Sequence, residues 1–292
     1  MNVEWPCAVF CYILAVMKFL SPLRYPGGKA KLAPFFARTI AAQPVKISSY
    51  AEPFAGGAGA GLRLLEDGAI DRLYINDLNP GIAAFWRACL RKTKDFCRLI
   101  YSTPVDVKEW TRQKEIYDQA SADDLALGFA TFYLNRTNRS GILGARPIGG
   151  LEQTGKWKID ARFNKADLCH RIQYISRWSS KIIVSQLDAE VFLDSISPVK
   201  GVLVYVDPPY IKQGDELYFS IFSKDKHKSL AKKLNQADYR WILTYDTDNA
   251  IPNDLYKNFR CAHYGISHTA QVQHVGKELV VFSDNLFVPD FQ

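Results

Sequence analysis

Five consecutive apolar residues, Val202-Leu203-Val204-Tyr205-Val206, end abruptly at Asp207-Pro208-Pro209-Tyr210. An unbroken apolar run of that length predicts a strand buried on both faces, as in a largely parallel sheet. The two prolines stop it, because neither can donate to a sheet ladder and each fixes φ. Further strand patterns run over Ser49 to Phe54, Arg72 to Asn76, Lys181 to Ser185 and Trp241 to Asp246. The last strands are expected over Phe259 to Ser267 and Leu279 to Phe282, with a loop carrying His268 and His274 between them. Helical spacing governs Lys31 to Ala42, where Leu32, Phe35, Phe36 and Ile40 share a face. It returns after Gly56-Gly57-Ala58-Gly59-Ala60-Gly61, through Leu62, Leu64 and Leu65. Ile82 to Ile100 gathers Phe85, Trp86, Cys89, Phe96 and Ile100 on a core face. Trp110 to Tyr133 is largely helical, Gly149-Gly150 to Lys158 resembles a hairpin, and Asp225 to Leu234 is a basic helix. Together these elements predict an α/β fold with a mixed, mainly parallel sheet and a helical insertion.

A chain of 292 residues holds one large α/β domain with an insertion, or two modest domains. With 48% hydrophobic and 23% charged residues the composition is that of a soluble globular protein. Charge changes the picture more. Residues 80–180 carry 17 of the 37 Lys/Arg but only 10 of the 30 Asp/Glu, which leaves 20 of each elsewhere. The whole net charge of +7 therefore resides in one internal segment, as expected of a polyanion-binding surface. Six cysteines form no CxxC pair and lie near no histidine cluster, so no metal site is expected and free buried thiols in a reducing cytoplasm are. The apolar run Cys7 to Val16 is too short to span a bilayer, and Glu4 stands where a signal peptide is basic. Residues 1–16 read as an extension upstream of the true start, or as a packing arm; no membrane association is expected.

The candidate chemistry gathers at strand ends, where open α/β sheets bind ligands. The Asp207 carboxylate and the Pro208 carbonyl can both accept hydrogen bonds from one exocyclic amino group, while the Tyr210 ring stacks on the same base. A proline-stiffened strand end with a capping Asp is the plainer alternative. The Ser21 to Lys29 loop offers glycines and a lysine charge for a carboxylate, without P-loop spacing. Gly56 to Gly61 permits a tight strand-to-helix turn against a cofactor, and Asp77 ends the next strand where a ribose is held by its hydroxyls. In Phe132 to Arg146, residues Asn135, Arg136, Asn138, Arg139 and Arg146 are suited to phosphate and base-edge contacts.

Arg24-Tyr25-Pro26-Gly27-Gly28-Lys29, Glu52-Pro53-Phe54-Ala55-Gly56-Gly57, Asn76-Asp77 and Asp207-Pro208-Pro209-Tyr210 follow one another in that order. In this the chain resembles the Dam-like (D12 class, alpha group) adenine-specific DNA methyltransferases, from about Met17 to near Phe282. The resemblance implies a Rossmann-like S-adenosylmethionine-dependent methyltransferase sheet with an inserted, mainly helical target-recognition domain. Residues 17–84 and 171–292 would be catalytic and 85–170 would read DNA. It further implies that Tyr25 and Lys29 contact S-adenosylmethionine, Lys29 near its carboxylate. Phe54 and Gly56 would line the methionine and ribose, and Asp77 would hold the ribose hydroxyls. Asp188 is the acid the family often carries before the catalytic strand, and Asp207 borders both cofactor and target. The glycine turn departs from the commoner GxG form, which leaves open which glycine touches the cofactor. Catalysis would fall to Asp207, Pro208 and Tyr210, acting on the N6 amino group of an adenine flipped from double-stranded DNA, at GATC-like sites. RNA adenine, DNA cytosine, protein glutamine and a catalytically silent DNA-binding module stay open as alternatives. Asp207 favours adenine, since glutamine enzymes favour Asn there and cytosine enzymes often have Ser. A cognate restriction nuclease as partner, against action alone as a monomer, also stays open.

Overall fold

The computed structural model describes residues 20–25, 29–120, 123–209, 223–246, 254–270 and 272–289; the expected extension over residues 1–16 lies outside them. Seven strands form one sheet: β1 (Ser49–Glu52), β2 (Arg72–Asn76), β3 (Ile182–Ser185), β4 (Val202–Val206), β5 (Arg240–Asp246), β6 (Arg260–Ala270) and β7 (Val272–Phe282). Their order is β3-β2-β1-β4-β5-β7-β6, with β1 to β5 parallel and β7 antiparallel to both neighbours. This is a Rossmann-like α/β sheet. Strand order reverses between β1 and β4, so the crevice at their carboxyl ends is the expected ligand position.

The apolar run of β4 is explained by what it separates. Leu203 and Tyr205 enter one core, Val202, Val204 and Val206 the other, and all five are buried. Helices α1 (Ala33–Ala41), α2 (Gly59–Glu66) and α7 (Lys165–Ser176) supply the first core; α8 (Ala189–Ile196) and α9 (Lys224–Asn235) supply the second. Between β2 and α7 the chain forms α3 (Pro80–Arg91), α4 (Thr93–Ser102), α5 (Val107–Gln119) and α6 (Asp124–Thr137). The single helix expected over Ile82 to Ile100 is thus two. Lys92 leaves helical geometry at φ −124°, ψ 37°, and the Thr93 hydroxyl donates to the Cys89 carbonyl at 2.7 Å. The bend folds Phe96 back to 5.7 Å from Phe85. Gly128 of α6 lets the helices close, because a Cβ there would fall 2.8 Å from the Ala84 backbone. Phe85, Trp86, Phe96, Phe129 and Phe132 then join the same core as Leu73 and Ile75 of β2, so the helical segment is built onto the sheet.

Two further expectations change. Residues 149–158 form turns with no strand. Gln153 takes the place of a partner strand: its side-chain Nε2 donates to the carbonyls of Ile148 and Gly150, and its Oε1 accepts from Ile159 N at 2.9 Å. At the carboxyl end the loop expected around His268 and His274 is strand: β6 and β7 pair through Ala270 and Val272, with His268 opposite His274. Among the described residues β5 pairs with β7 as far as Glu278, and β6 and β7 go on pairing beyond that point as an arm at the carboxyl edge. Of the described cysteines, Cys89, Cys97 and Cys169 are buried free thiols, whereas Cys261 is exposed.

Candidate active site

The loops after β1, β2 and β4 meet at the strand-order reversal, with the Ser21 to Lys29 segment laid over them. Gly56 follows β1 at φ +46°, in the left-handed region that favours glycine, and a Cβ there would stand 2.5 Å from Tyr25 Cζ. The half-exposed Tyr25 ring therefore lies directly against the turn. Asp77 clamps the turn from β2: its Oδ2 accepts from Gly56 N at 3.0 Å and its Oδ1 from Asn79 N at 2.9 Å. Burial pushes the Asp77 carboxyl up to about 6, against the pull of those two backbone donors. Trp86 of α3 closes the turn from below, donating Nε1–H to the Gly56 carbonyl at 2.9 Å. Phe54 is half-buried against the second core. A carboxylate acceptor beside a glycine that admits close approach, under an aromatic ring, is suited to a nucleoside diol.

The catalytic strand brings Asp207 to the same crevice. Its Oδ1 accepts from the Thr244 hydroxyl at 2.8 Å and lies 3.5 Å from Lys29 Nζ. Tyr205 OH and Thr244 Oγ1 are 2.8 Å apart; since Thr244 donates to Asp207, Tyr205 donates to Thr244. A chain from the buried Tyr205 through β5 thus aims the carboxylate. The sequence did not point to Thr244, whose only mark is a polar side chain inside the apolar strand Trp241-Ile242-Leu243. Lys29, expected at a ligand carboxylate, faces a protein carboxylate. Pro208 is buried and Pro209 exposed, whereas Tyr210 lies outside the described residues. Beneath the glycine turn Glu52 is buried, its Oε1 accepting from Gly61 N at 3.0 Å, and burial pushes its carboxyl up to about 8. Asp188 is at the rim, capping α8 through Glu190 N at 2.9 Å and pairing with Lys226 Nζ at 2.6 Å.

The recognition stretch separates into inner and outer residues. Asn135 is fully buried: it accepts from Arg24 N at 2.7 Å and donates to the carbonyls of Arg24 and Gly141, each at 2.8 Å. Asn138 is equally buried, accepting from Trp110 Nε1 at 2.6 Å and donating to Ile142 and Leu143 carbonyls. Both were expected to meet nucleic acid; in this structure their amides fasten the loop internally, because each is the nearest partner for otherwise orphaned buried carbonyls. Arg136 is half-buried, its guanidinium on the carbonyls of Arg162 and Pro22. Arg139 and Arg146 are exposed and joined at the neck of the loop, Arg139 N donating to the Arg146 carbonyl at 3.1 Å. Among the described residues no cluster of metal-ligating side chains occurs, and no helix is long and apolar enough to cross a membrane.

Comparison with known proteins bears on this geometry. The sequence matches the model of a family described as D12 class N6 adenine-specific DNA methyltransferase over residues 25–271. A search of curated proteins finds no match. Among solved structures, the rRNA methyltransferase aviRa from Streptomyces viridochromogenes is similar at 12% identity and a TM-score of 0.40, covering 89% of this chain and 87% of its own. Protein LPL1258 from Legionella pneumophila is similar at 12% identity and a TM-score of 0.33, covering 88% and 86%.

Proposed function

The chain belongs to the D12 class N6 adenine-specific DNA methyltransferase family, and from that premise we propose that it methylates the N6 amino group of adenine in double-stranded DNA with S-adenosylmethionine as donor. The observation that carries this reading is the convergence of Asp207, at the end of β4, with the Tyr25–Gly56–Asp77 cradle in one crevice. Tyr25, laid on Gly56, would form with it one wall of the cofactor space, Asp77 would accept from the ribose hydroxyls, and Phe54 would line the same space. Bound S-adenosylmethionine supplies a methyl group on a cationic sulfur. Asp207 and the Pro208 carbonyl accept the two amino hydrogens of the target, which directs the nitrogen lone pair at that methyl. The Tyr205–Thr244 chain fixes the carboxylate before substrate arrives, so alignment costs little at the moment of reaction.

An adenine stacked in a duplex cannot reach the crevice, so the base is flipped, at a cost of a few kcal/mol. Arg139 and Arg146 at the loop neck, with Arg136 behind them, face the DNA, while Asn135 and Asn138 hold the loop that carries them. Mass analysis of nucleosides from duplexes, GATC-containing ones first, incubated with protein and S-adenosylmethionine tests the reading. N6-methyladenine is the expected product. Modified cytosine, modification confined to RNA, or DNA binding without any product would each replace it.

A further inference from the structure

Beside the crevice the guanidinium groups of Arg136 and Arg171 hold the short segment that leads into Tyr25; Arg24 stands on that segment and Arg162 is bonded to Arg136 through its carbonyl. Arg171 Nη1 donates to the Ser21 carbonyl at 3.2 Å, and Arg136 Nη1 to the Pro22 carbonyl at 3.4 Å. Arg24 Nη1 donates to the Asn138 carbonyl at 3.0 Å, and Arg136 Nε to the Arg162 carbonyl at 2.8 Å. These anchors are neutral: they fix the guanidinium planes and leave the charge in place. Asp167, 2.8 Å from Arg171 Nη2, is the one carboxylate paired with any of the four among the described residues. Arg87 and Arg98, by contrast, are each paired with an acid, Asp124 and Asp95. The crowding has consequences. Burial, and then the neighbouring Arg24 and Arg171, lower Arg136 to about 9, and burial, then Arg162, lowers Arg24. Arg171 Nε is buried with no hydrogen-bond partner. Arg162 keeps the cluster open to solvent.

We infer that Arg24, Arg136, Arg162 and Arg171 form a seat for one phosphodiester of DNA. This rests on the methyltransferase reading and adds a contact outside the glycine-broken loop. Guanidinium forks match a tetrahedral oxyanion with several acceptors, and an anion here offsets three charges that the protein leaves unbalanced. The seat adjoins the crevice through the backbone itself, since Arg24, held by Asn135, is followed by Tyr25, which covers Gly56. A phosphate there would flank the flipped nucleotide and hold the strand as the base leaves the stack.

The test is equilibrium binding of the full chain to a target duplex over a range of salt, with wild type, Arg162→Ala and Arg162→Lys. Arg162 is exposed and lends only its carbonyl to Arg136, so its side chain can be removed without dismantling the cluster. Loss of one phosphate contact should reduce the slope of log affinity against log salt by about 0.9, with Lys restoring most of it. S-adenosylmethionine affinity should be unchanged. A neutral methylphosphonate at the phosphate beside the target should weaken wild type but weaken Arg162→Ala no further. An unchanged slope in a variant of a wild type that binds and methylates DNA would overturn the seat and leave the function standing. A lowered melting temperature with an unchanged slope would do the same, making the cluster a brace. Inorganic phosphate that stabilises wild type but not Arg162→Ala, again without a slope change, would assign the seat to free phosphate and overturn the DNA assignment. A wild type that binds no duplex at all would overturn both.

Discussion

Asp77 links geometry to a measurable pH dependence. Its carboxyl is raised to about 6 by burial, so it gains a proton as pH falls through that value and can no longer accept from two hydroxyls as a carboxylate. Affinity for S-adenosylmethionine should therefore hold above pH 7 and decline below about 6, whereas Asp77→Asn should bind weakly, by about 1.5–3 kcal/mol, at every pH. Calorimetry across pH 5 to 8 checks this, and a wild-type profile that is flat, or steeper in the variant, contradicts it. Thr244 makes a separate prediction. Thr244→Val keeps the shape of β5 but removes the donor that aims Asp207, so turnover should fall by about ten- to a hundredfold, with cofactor affinity retained. Only one of the two positions was marked in the chain order. Asp77 was found because an acid ends a strand after a glycine turn; Thr244 needs the β4–β5 register, Val206 against Leu243, to bring it near Asp207.

The elements divide into those whose own sequence fixes them and those completed by a distant side chain. β4 was legible to the residue, because an apolar run buried on both faces ends at two prolines. β2 was equally clear. The break between α5 and α6, inside the stretch Trp110 to Tyr133 read as largely helical, was not foreseen; in the structure Asp123 caps α6 through Leu125 N at 2.6 Å and Ala126 N at 3.2 Å. The turns of residues 149–158 were misread, since the satisfaction of their carbonyls by Gln153 leaves no periodic trace. The arm of β6 and β7 was missed for the opposite reason: its polar residues and histidines match a loop, and only the partner strand makes it regular. The recognition loop gives the sharpest element-level test. Asn135→Ala strands three backbone groups, that of Gly141 buried and those of Arg24 partly so, at up to about 1–3 kcal/mol each if unrelieved, and should lower the melting temperature by several degrees. Arg139→Ala should leave melting unchanged and weaken duplex binding; equal melting losses in both would show that no inner and outer division exists.

Across the whole molecule the surplus positive charge falls on the helical segment, and that segment shares its aromatic core with the sheet. The proposed DNA-contacting segment is thereby joined to the proposed cofactor turn, with Trp86 reaching from α3 to Gly56. The same core makes stability depend on pH. Glu52 is raised by burial from an ordinary 4.5 to about 8, so between those values the folded chain holds a proton that the unfolded chain has released. Stability should then fall as pH rises through this window, by at most about 1.4 kcal/mol per pH unit from this group. Glu52→Gln should flatten the trend in denaturant midpoints between pH 5 and 8. A slope that survives the substitution would place its origin elsewhere.

In the proposed mechanism adenine methylation depends on Asp207 accepting from the target amino group, an interaction strongest in the transition state. The most direct measurement is single-turnover methylation of an adenine-containing duplex at saturating S-adenosylmethionine, comparing wild type with Asp207→Ala and Asp207→Asn. Asp207→Ala should form no N6-methyladenine while remaining folded and bound to DNA, and Asp207→Asn, which keeps the shape without the charge, should be strongly impaired. A wild-type rate in Asp207→Ala would contradict the assignment and leave the Asp-Pro-Pro turn as no more than a stiff strand end.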